Sequence, residues 1–418
     1  ARARGAGRAP KAGERVAWPG RGETEWRAVA ADETGGCADS VFGGCYAHCT
    51  VRMERPAVMI LQAKGDEMVY VNGVPRSGNP YCLKDERESW EPDFDYSLLP
   101  VALEKGANDF IFRCGRERFK AELYPPPKLV FLNAKDVTAP DLVRELALDS
   151  WGSIVVVNAT TERLEDLSIS ASIGGVAAEA VPVPVIQPCS VRKVGFRLRS
   201  GLRSESFAPA RIVLVRNGRG ASDTLDAASI TLRVAPRFEN RKETFVSAID
   251  GSVQYYGINP AFSGAREPRA LFLSLHGAGV EAVNQSASYA QKKGGHVVAP
   301  TNRRPYGFNW EEWGRLDAIE VMDTVKARYA IDESRVYLTG HSMGGHGVWH
   351  LGSLFPDRFA AIGPSAGWIS FWTYRFRGID LGDTTAVRRM IRRATTPSET
   401  FLHAPNLAQV GVYVLHGA

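Results

Sequence analysis

The sequence predicts a multidomain chain: two N-terminal all-β sandwiches, then an incomplete α/β domain whose mostly parallel sheet carries helices on both faces. Three observations predict it. Residues 55–240 hold many short β-prone runs separated by turn residues. After Glu243 the texture changes to short, almost wholly apolar strands alternating with amphipathic helical stretches, as a parallel sheet covered on both faces requires. Within that region Arg335–Leu351, RVYLTGHSMGGHGVWHL, reads as a strand, a glycine-flanked corner with one serine, and a helix.

Composition sets the bounds. The chain has 418 residues, 44% hydrophobic and 23% charged, which suits two to four globular domains. No apolar run reaches the roughly 18 residues of a membrane span, so none is expected. The start, ARARGAGRAP, lacks the apolar centre of a signal peptide. Targeting is therefore not legible there, and only the accessory sandwiches suggest export. The net charge of +5 is concentrated in residues 1–30, with seven Lys/Arg against three Glu. That stretch reads as a disordered basic arm, and with no nucleic-acid motif beside it, nucleic acid is not an expected partner. Six cysteines are present, and Cys45-x3-Cys49 with His48 fits no usual zinc spacing. Neither metal nor cofactor is expected, while one disulfide among the N-terminal cysteines is compatible with export.

The elements follow in order. Residues 31–127 form the first sandwich: AVMILQA and EMVYVNGVPR are strands, and Asn72-Gly73 marks a type I′ hairpin because both residues tolerate positive φ. Leu99, Val101 and Leu103 alternate, Lys105–Asn108 turns, and Phe110–Phe112 returns. Pro125–Pro127 is a stiff linker. Residues 128–242 form the second, immunoglobulin-like sandwich, with period-2 alternation at Leu167, Ile169, Ala171 and Ile173 and a helix expected only at APDLVRELALD. Residues 243–418 form the α/β domain. Asp250-Gly251 makes a hairpin. LFLSL precedes a helix near 281–293, and HVVAP precedes a helix over 315–329 with Leu316, Ile319, Met322 and Val325 on one face. RVYLTG, FAAIGPSAG and VGVYVLHG are further strands.

The chemistry sits at the corner. Gly340-His341-Ser342-Met343-Gly344 is a G-x-S-x-G in its required context, with a strand before and a helix after. A serine there stands clear of the sheet, and Gly340 and Gly344 supply no Cβ to obstruct the turn. Gly345 and Gly347 let the helix pack close. The helix N-terminus directs backbone N–H groups at a reacting oxygen. The N–H of Met343 is one candidate oxyanion donor, and that of Ala278 or Gly279, in the LHGAG loop, is the other. His276 reads as structural beneath that loop. His341 leaves the corner in another direction, and His346 and His350 read as packed in the helix. Tyr306 and Trp310, in YGFNWEEWG with Phe308 and Trp313, are candidates to line a substrate pocket near a strand's C-terminal end.

A serine nucleophile needs an acid and a histidine, which in this fold follow it in the chain. After Ser342 the aspartates are Asp357, Asp380 and Asp383, and none follows a strand in the required way. The strand expected to present the acid is VGVYVLHGA, where the sequence stops. Both partners are thus expected beyond residue 418, and the 418 residues alone are expected to show little turnover.

The segment DESRVYLTGHSMGGHGVWHLGSLFPDRFAAIGPSAGW, with LSLHGAG before it and GVYVLHGA after it, resembles the catalytic domain of prolyl-oligopeptidase-like serine hydrolases, which include peptidases and carboxylesterases. The resemblance covers about residues 243–418 and implies an α/β-hydrolase fold, Ser342 as nucleophile and a peptide or ester substrate. VYVNGVPRSGNPY and LPVALEKGANDFIF are similar to galactose-binding-like sandwiches of multidomain bacterial hydrolases, which would make a glycan a second partner. The competing reading is a non-catalytic glycan-binding or adhesion protein on an inactive hydrolase scaffold.

Overall fold

The computed structural model describes residues 10–417 apart from 19–21, 34–35, 39–41, 81–95, 116–117, 219–221, 263–266, 304–306, 308, 371–373 and 375–384. Within the expected disordered arm, Arg15–Trp18 and Gly22–Glu25 pair as an antiparallel hairpin, so that expectation is corrected for these residues. Residues 1–9 lie outside the described part.

The next unit is two four-stranded sheets. One runs Gly36–Ala38, Arg118–Tyr124, Ala57–Lys64, Leu99–Leu103, and the other Tyr46–Met53, Gly106–Cys114, Asp66–Val71, Val74–Asn79. The alternation that places Phe110, Phe112 and Cys114 inward comes from the strand's period of two. These residues meet Leu61, Val69, Val101 and Phe119 in one core. The Asn72-Gly73 turn joins Val71 to Val74 with φ of 49° and 80°, the two positive values that a type I′ turn needs.

A second pair of sheets follows. Val130–Thr138, Leu148–Asn158 and Ser190–Ser200 form one, and Asp223–Ala235, Phe207–Arg216 and Leu167–Ile173 are the main strands of the other. Leu167, Ile169, Ala171 and Ile173 all point into their shared core. The expected helix at APDLVRELALD does not form. Leu142–Val143 pairs in parallel with Val234–Ala235, and Glu145 turns with φ 61°. The Asp141 carboxylate accepts from the Lys242 N–H and from Arg233, so sheet pairing and ion pairing override helical propensity. The two sandwiches share an apolar seam of Ile60 with Phe131, Val155 and Val157.

In the C-terminal part we label strands β1 (Arg241–Val246), β2 (Val253–Asn259), β3 (Arg269–Leu275), β4 (Gly295–Ala299), β5 (Ile331–His341), β6 (Ala361–Ser365) and β7 (Gly411–Val412). The helices are α1 (Ala282–Ala287), α2 (Glu312–Arg328), α3 (Met343–Leu354), α4 (Ala386–Ala394) and α5 (Thr400–His403). The strands lie in the order β1-β2-β4-β3-β5-β6-β7. β2 is antiparallel to both neighbours, and from β4 to β7 every pairing is parallel. This is the mixed sheet of the α/β-hydrolase fold.

Helix α1 is shorter than the expected 281–293. Asn259 Nδ2 donates to the Tyr289 carbonyl at 2.8 Å, and Gln291 Nε2 donates to that of Pro260. Side chains thus hold the chain beyond Ala287 against the end of β2 in place of further helical turns. Helix α2 is rotated from its expected stripe: Leu316 is 43% exposed, while Ala318, Val321, Met322 and Val325 are buried. The cause is polar, because buried Asp317 accepts from the Asn302 N–H at 2.9 Å and ion-pairs with Arg303. Thr244 on β1 donates to the Trp151 carbonyl at 2.6 Å, tying this part to the second sandwich.

Asp66 is fully buried in the first sandwich and accepts from the Asn79 N–H. Burial raises its carboxyl pKa to about 6 from 3.8. A folded value above the unfolded one means a stabilising contribution that is complete below pH 3.8 and lost as pH rises through 6. Asp66→Asn is therefore expected to remove a fall of about 3 kcal/mol in unfolding free energy between these limits, read from denaturant melts at stepped pH.

Candidate active site

Three backbones converge where β5 ends. Ser342 occupies the corner with φ 56° and ψ −118°, and Met343 begins α3. Positive φ is costly for a residue with a Cβ, so surrounding contacts must impose it. The Ser342 N–H donates to the Ser365 carbonyl on β6 at 2.9 Å, and the Ser342 carbonyl accepts from the His346 N–H at 3.1 Å.

The glycines are steric necessities. A Cβ on Gly344 would lie 2.0 Å from the Leu275 carbonyl oxygen at the end of β3. One on Gly340 would lie 2.6 Å from the Gly344 oxygen. One on Gly345 would strike the Ser365 oxygen at 2.3 Å, and one on Gly347 would enter the Trp310 ring. At these glycines the first turn of helix α3 thus seats on β3 and β6 through backbone.

Met343, as the first residue of α3, has an N–H with no intrahelical acceptor. Facing this corner is the loop after β3, where Val280 N–H donates to the Gly277 carbonyl and Gly279 has φ +75°. An added Cβ on Gly277 would stand 3.4 Å from the His341 oxygen and 3.8 Å from Ser342 Cβ. Gly277 therefore abuts the serine, with Ala278 exposed one residue on. Sequence reasoning singled out Ala278 and Gly279 and passed over Gly277, although the LHGAG run contained it.

The imidazoles near the corner are otherwise engaged. His341 is exposed and meets the Ser365 hydroxyl at 3.1 Å through Nδ1. His276 is buried between the carbonyls of Gly277 and Thr301, and burial lowers its pKa. His346 is buried, with Nδ1 2.9 Å from the Trp368 carbonyl and Nε2 3.0 Å from Glu311. Its ring stacks on Trp368 at 4.8 Å. Glu311 was missed because it lies in an aromatic-rich loop with no spacing relation to the helix it serves. His350 is fully buried and neither ring nitrogen has a hydrogen-bond partner among the described residues. Desolvation lowers its pKa to about 3, with help from neighbouring His346, Arg315 and His403.

Trp310 does not line an open pocket. It is fully buried, its Nε1 donates to the His276 carbonyl at 3.1 Å, and its ring lies against Gly347. This corrects the expectation drawn from its aromatic neighbourhood. Tyr306 and Phe308 lie outside the described residues, as do Asp380 and Asp383. Asp357 is exposed in the turn Pro356–Arg358 after α3, a full helix length from Ser342. Among the described residues no side chain hydrogen bonds to the Ser342 hydroxyl, and no group of three His, Cys, Asp or Glu is arranged to hold a metal ion.

Residues 277–399 match the model of a protein family described as putative esterase. Over 133 residues the chain is 32% identical to poly(3-hydroxyalkanoate) depolymerase C of Paucimonas lemoignei, covering 28% of this chain and 32% of that protein. Over 106 residues it is 35% identical to the bifunctional acetylxylan esterase/xylanase XynS20E of Neocallimastix patriciarum, covering 23% of this chain and 16% of that protein. The chain thus spans about a third or less of the length of these relatives. Among solved structures, a substrate-bound fluorophosphonate-binding serine hydrolase F of Staphylococcus aureus aligns over 43% of this chain and 79% of its own, at 15% identity and a TM-score of 0.35. The stretch similar to this putative-esterase family thus lies within the mixed α/β sheet and its helices, behind a β-rich N-terminal region. These matches do not support the narrower prolyl-oligopeptidase resemblance.

Two measurements test this geometry. Gly344→Ala is expected to cost more than about 3 kcal/mol or abolish folding, because the Leu275 backbone must move, while Gly277→Ala costs less than about 1 kcal/mol; denaturant midpoints decide. His350 has a folded pKa near 3 against 6.5 ordinarily, so its contribution is complete above pH 6.5 and lost as pH falls towards 3. His350→Leu is expected to make the acid side of the stability curve shallower by about 1.4 kcal/mol per pH unit across that window, followed by melts from pH 7 to 4.

Proposed function

We propose that Ser342 is the nucleophile of a serine esterase. The observation that carries this reading is its positive-φ corner between β5 and α3, walled by the β3 and β6 backbones. In the proposed reaction Ser342 Oγ attacks the ester carbonyl and forms a tetrahedral adduct. The N–H groups of Met343 and of Ala278 or Gly279 hold its developing negative charge. The adduct expels an alcohol and leaves an acyl-enzyme, which water then hydrolyses. The serine proton passes to an imidazole oriented by a carboxylate.

An ester is favoured over a peptide because the matching family model and the two relatives named above are esterases or polyester depolymerases by description. An acyl ester of a polymer, such as an acetylated polysaccharide or a polyhydroxyalkanoate, is the substrate class their names suggest. The two N-terminal sandwiches are proposed to position that polymer.

The test is labelling by a fluorophosphonate probe, with turnover of p-nitrophenyl acetate, on the full-length protein. Wild type is expected to label, and Ser342→Ala to lose the label and at least about 1000-fold in kcat/KM with unchanged circular dichroism. Absence of labelling in folded wild type would overturn the esterase reading in favour of the glycan-binding scaffold.

A further inference from the structure

The antiparallel pairing of Tyr46–Met53 with Gly106–Cys114 begins at Tyr46 opposite Arg113. One residue further, Cys45 stands opposite Cys114: the Cys114 N–H donates to the Cys45 carbonyl at 2.9 Å, and the Gly44 N–H donates to that of Cys114 at 3.1 Å. Residues facing each other across such a ladder share one side of the sheet, with Cα atoms about 4.5–5.5 Å apart. A disulfide needs Cα atoms about 4.4–6.8 Å apart. Both side chains face the first sandwich's core, Cys114 fully buried and Cys45 half-buried against the same cluster. Their thiol groups are already in hydrogen-bond contact.

We infer that Cys45 and Cys114 are a disulfide site that forms under oxidising conditions and staples the first sandwich. The bridge would enclose the strands Ala57–Lys64, Asp66–Val71, Val74–Asn79 and Leu99–Leu103, so it restricts the unfolded chain across most of that unit. Cys45, the more accessible of the two, attacks first. Its thiolate displaces one half of a small disulfide such as glutathione disulfide and forms a mixed disulfide. Cys114 thiolate then attacks the Cys45 sulfur and expels the second glutathione thiolate. The two cysteines lose two protons and two electrons, and glutathione disulfide takes them up as two thiols. The side-chain hydrogen bond with Cys45 and then burial raise the Cys114 thiol pKa far above its ordinary value, so this second step is fastest while the strands are closing.

The experiment is non-reducing peptide mapping after refolding in an oxidising glutathione mixture and trapping with N-ethylmaleimide. One cross-linked peptide pair joining Cys45 to Cys114 is expected. Recovery of both as alkylated thiols, or a bridge from either to Cys49 or Cys82, would overturn the proposal. As a second reading, the oxidised protein is expected to melt about 10 °C higher than the reduced one. Cys45→Ser should abolish that difference and Cys49→Ser should keep it. A difference that survives Cys45→Ser would also count against the bridge. Neither readout depends on the esterase reading.

Discussion

The approach of α3 to the end of β3 is the constraint on which this domain turns. Leu275 O, Gly344 and Gly340 occupy a space with no room for a side chain. That contact fixes where α3 begins, and hence the corner that Ser342 must adopt. The Ser342–Ser365 backbone bond then draws β6 to the same point. The loop after β3 reaches the serine because its own first residues provide the wall. Strain at one residue is thus stored where neighbouring backbone leaves no alternative.

Around this corner, burial decides what the polar groups can do. His276, His346 and His350 lie within the fold, and each has a different arrangement: two carbonyls, a carbonyl with a carboxylate, and no hydrogen-bond partner among the described residues. Burial lowers the pKa of His276 and His350, which favours neutral rings. Glu311, Trp368 and Trp310 link the loop before α2, the segment after β6 and the underside of α3. These contacts make the elbow a packed unit rather than an exposed turn.

The N-terminal sandwiches are joined to each other and to the C-terminal part by defined contacts. Ile60 packs into the second sandwich's face, Arg76 donates to the Cys189 carbonyl at 2.6 Å, and Thr244 ties β1 to Trp151. Beside the last of these lies a groove of about 380 Å³ lined by Asp149, Trp151, Thr244 and Arg328, away from Ser342.

The sequence by itself determined what depends on local pattern. Alternation at Leu167–Ile173 and at Leu99, Val101 and Leu103 marked inward strand faces because the strand period is two. Asn72-Gly73 fixed a hairpin through its tolerance of positive φ. The glycines around Ser342 declared a corner, since no other residue fits there. Tertiary structure decided wherever a distant group outweighed local preference. Leu142–Val143 became strand because Val234–Ala235 offered a sheet edge, and α2 turned because buried Asp317 had to meet Asn302 and Arg303. Trp310 went inward to His276, and Glu311 met His346 across separate elements. No periodicity encodes those partners, because they are brought together only when the sheet and its helices pack.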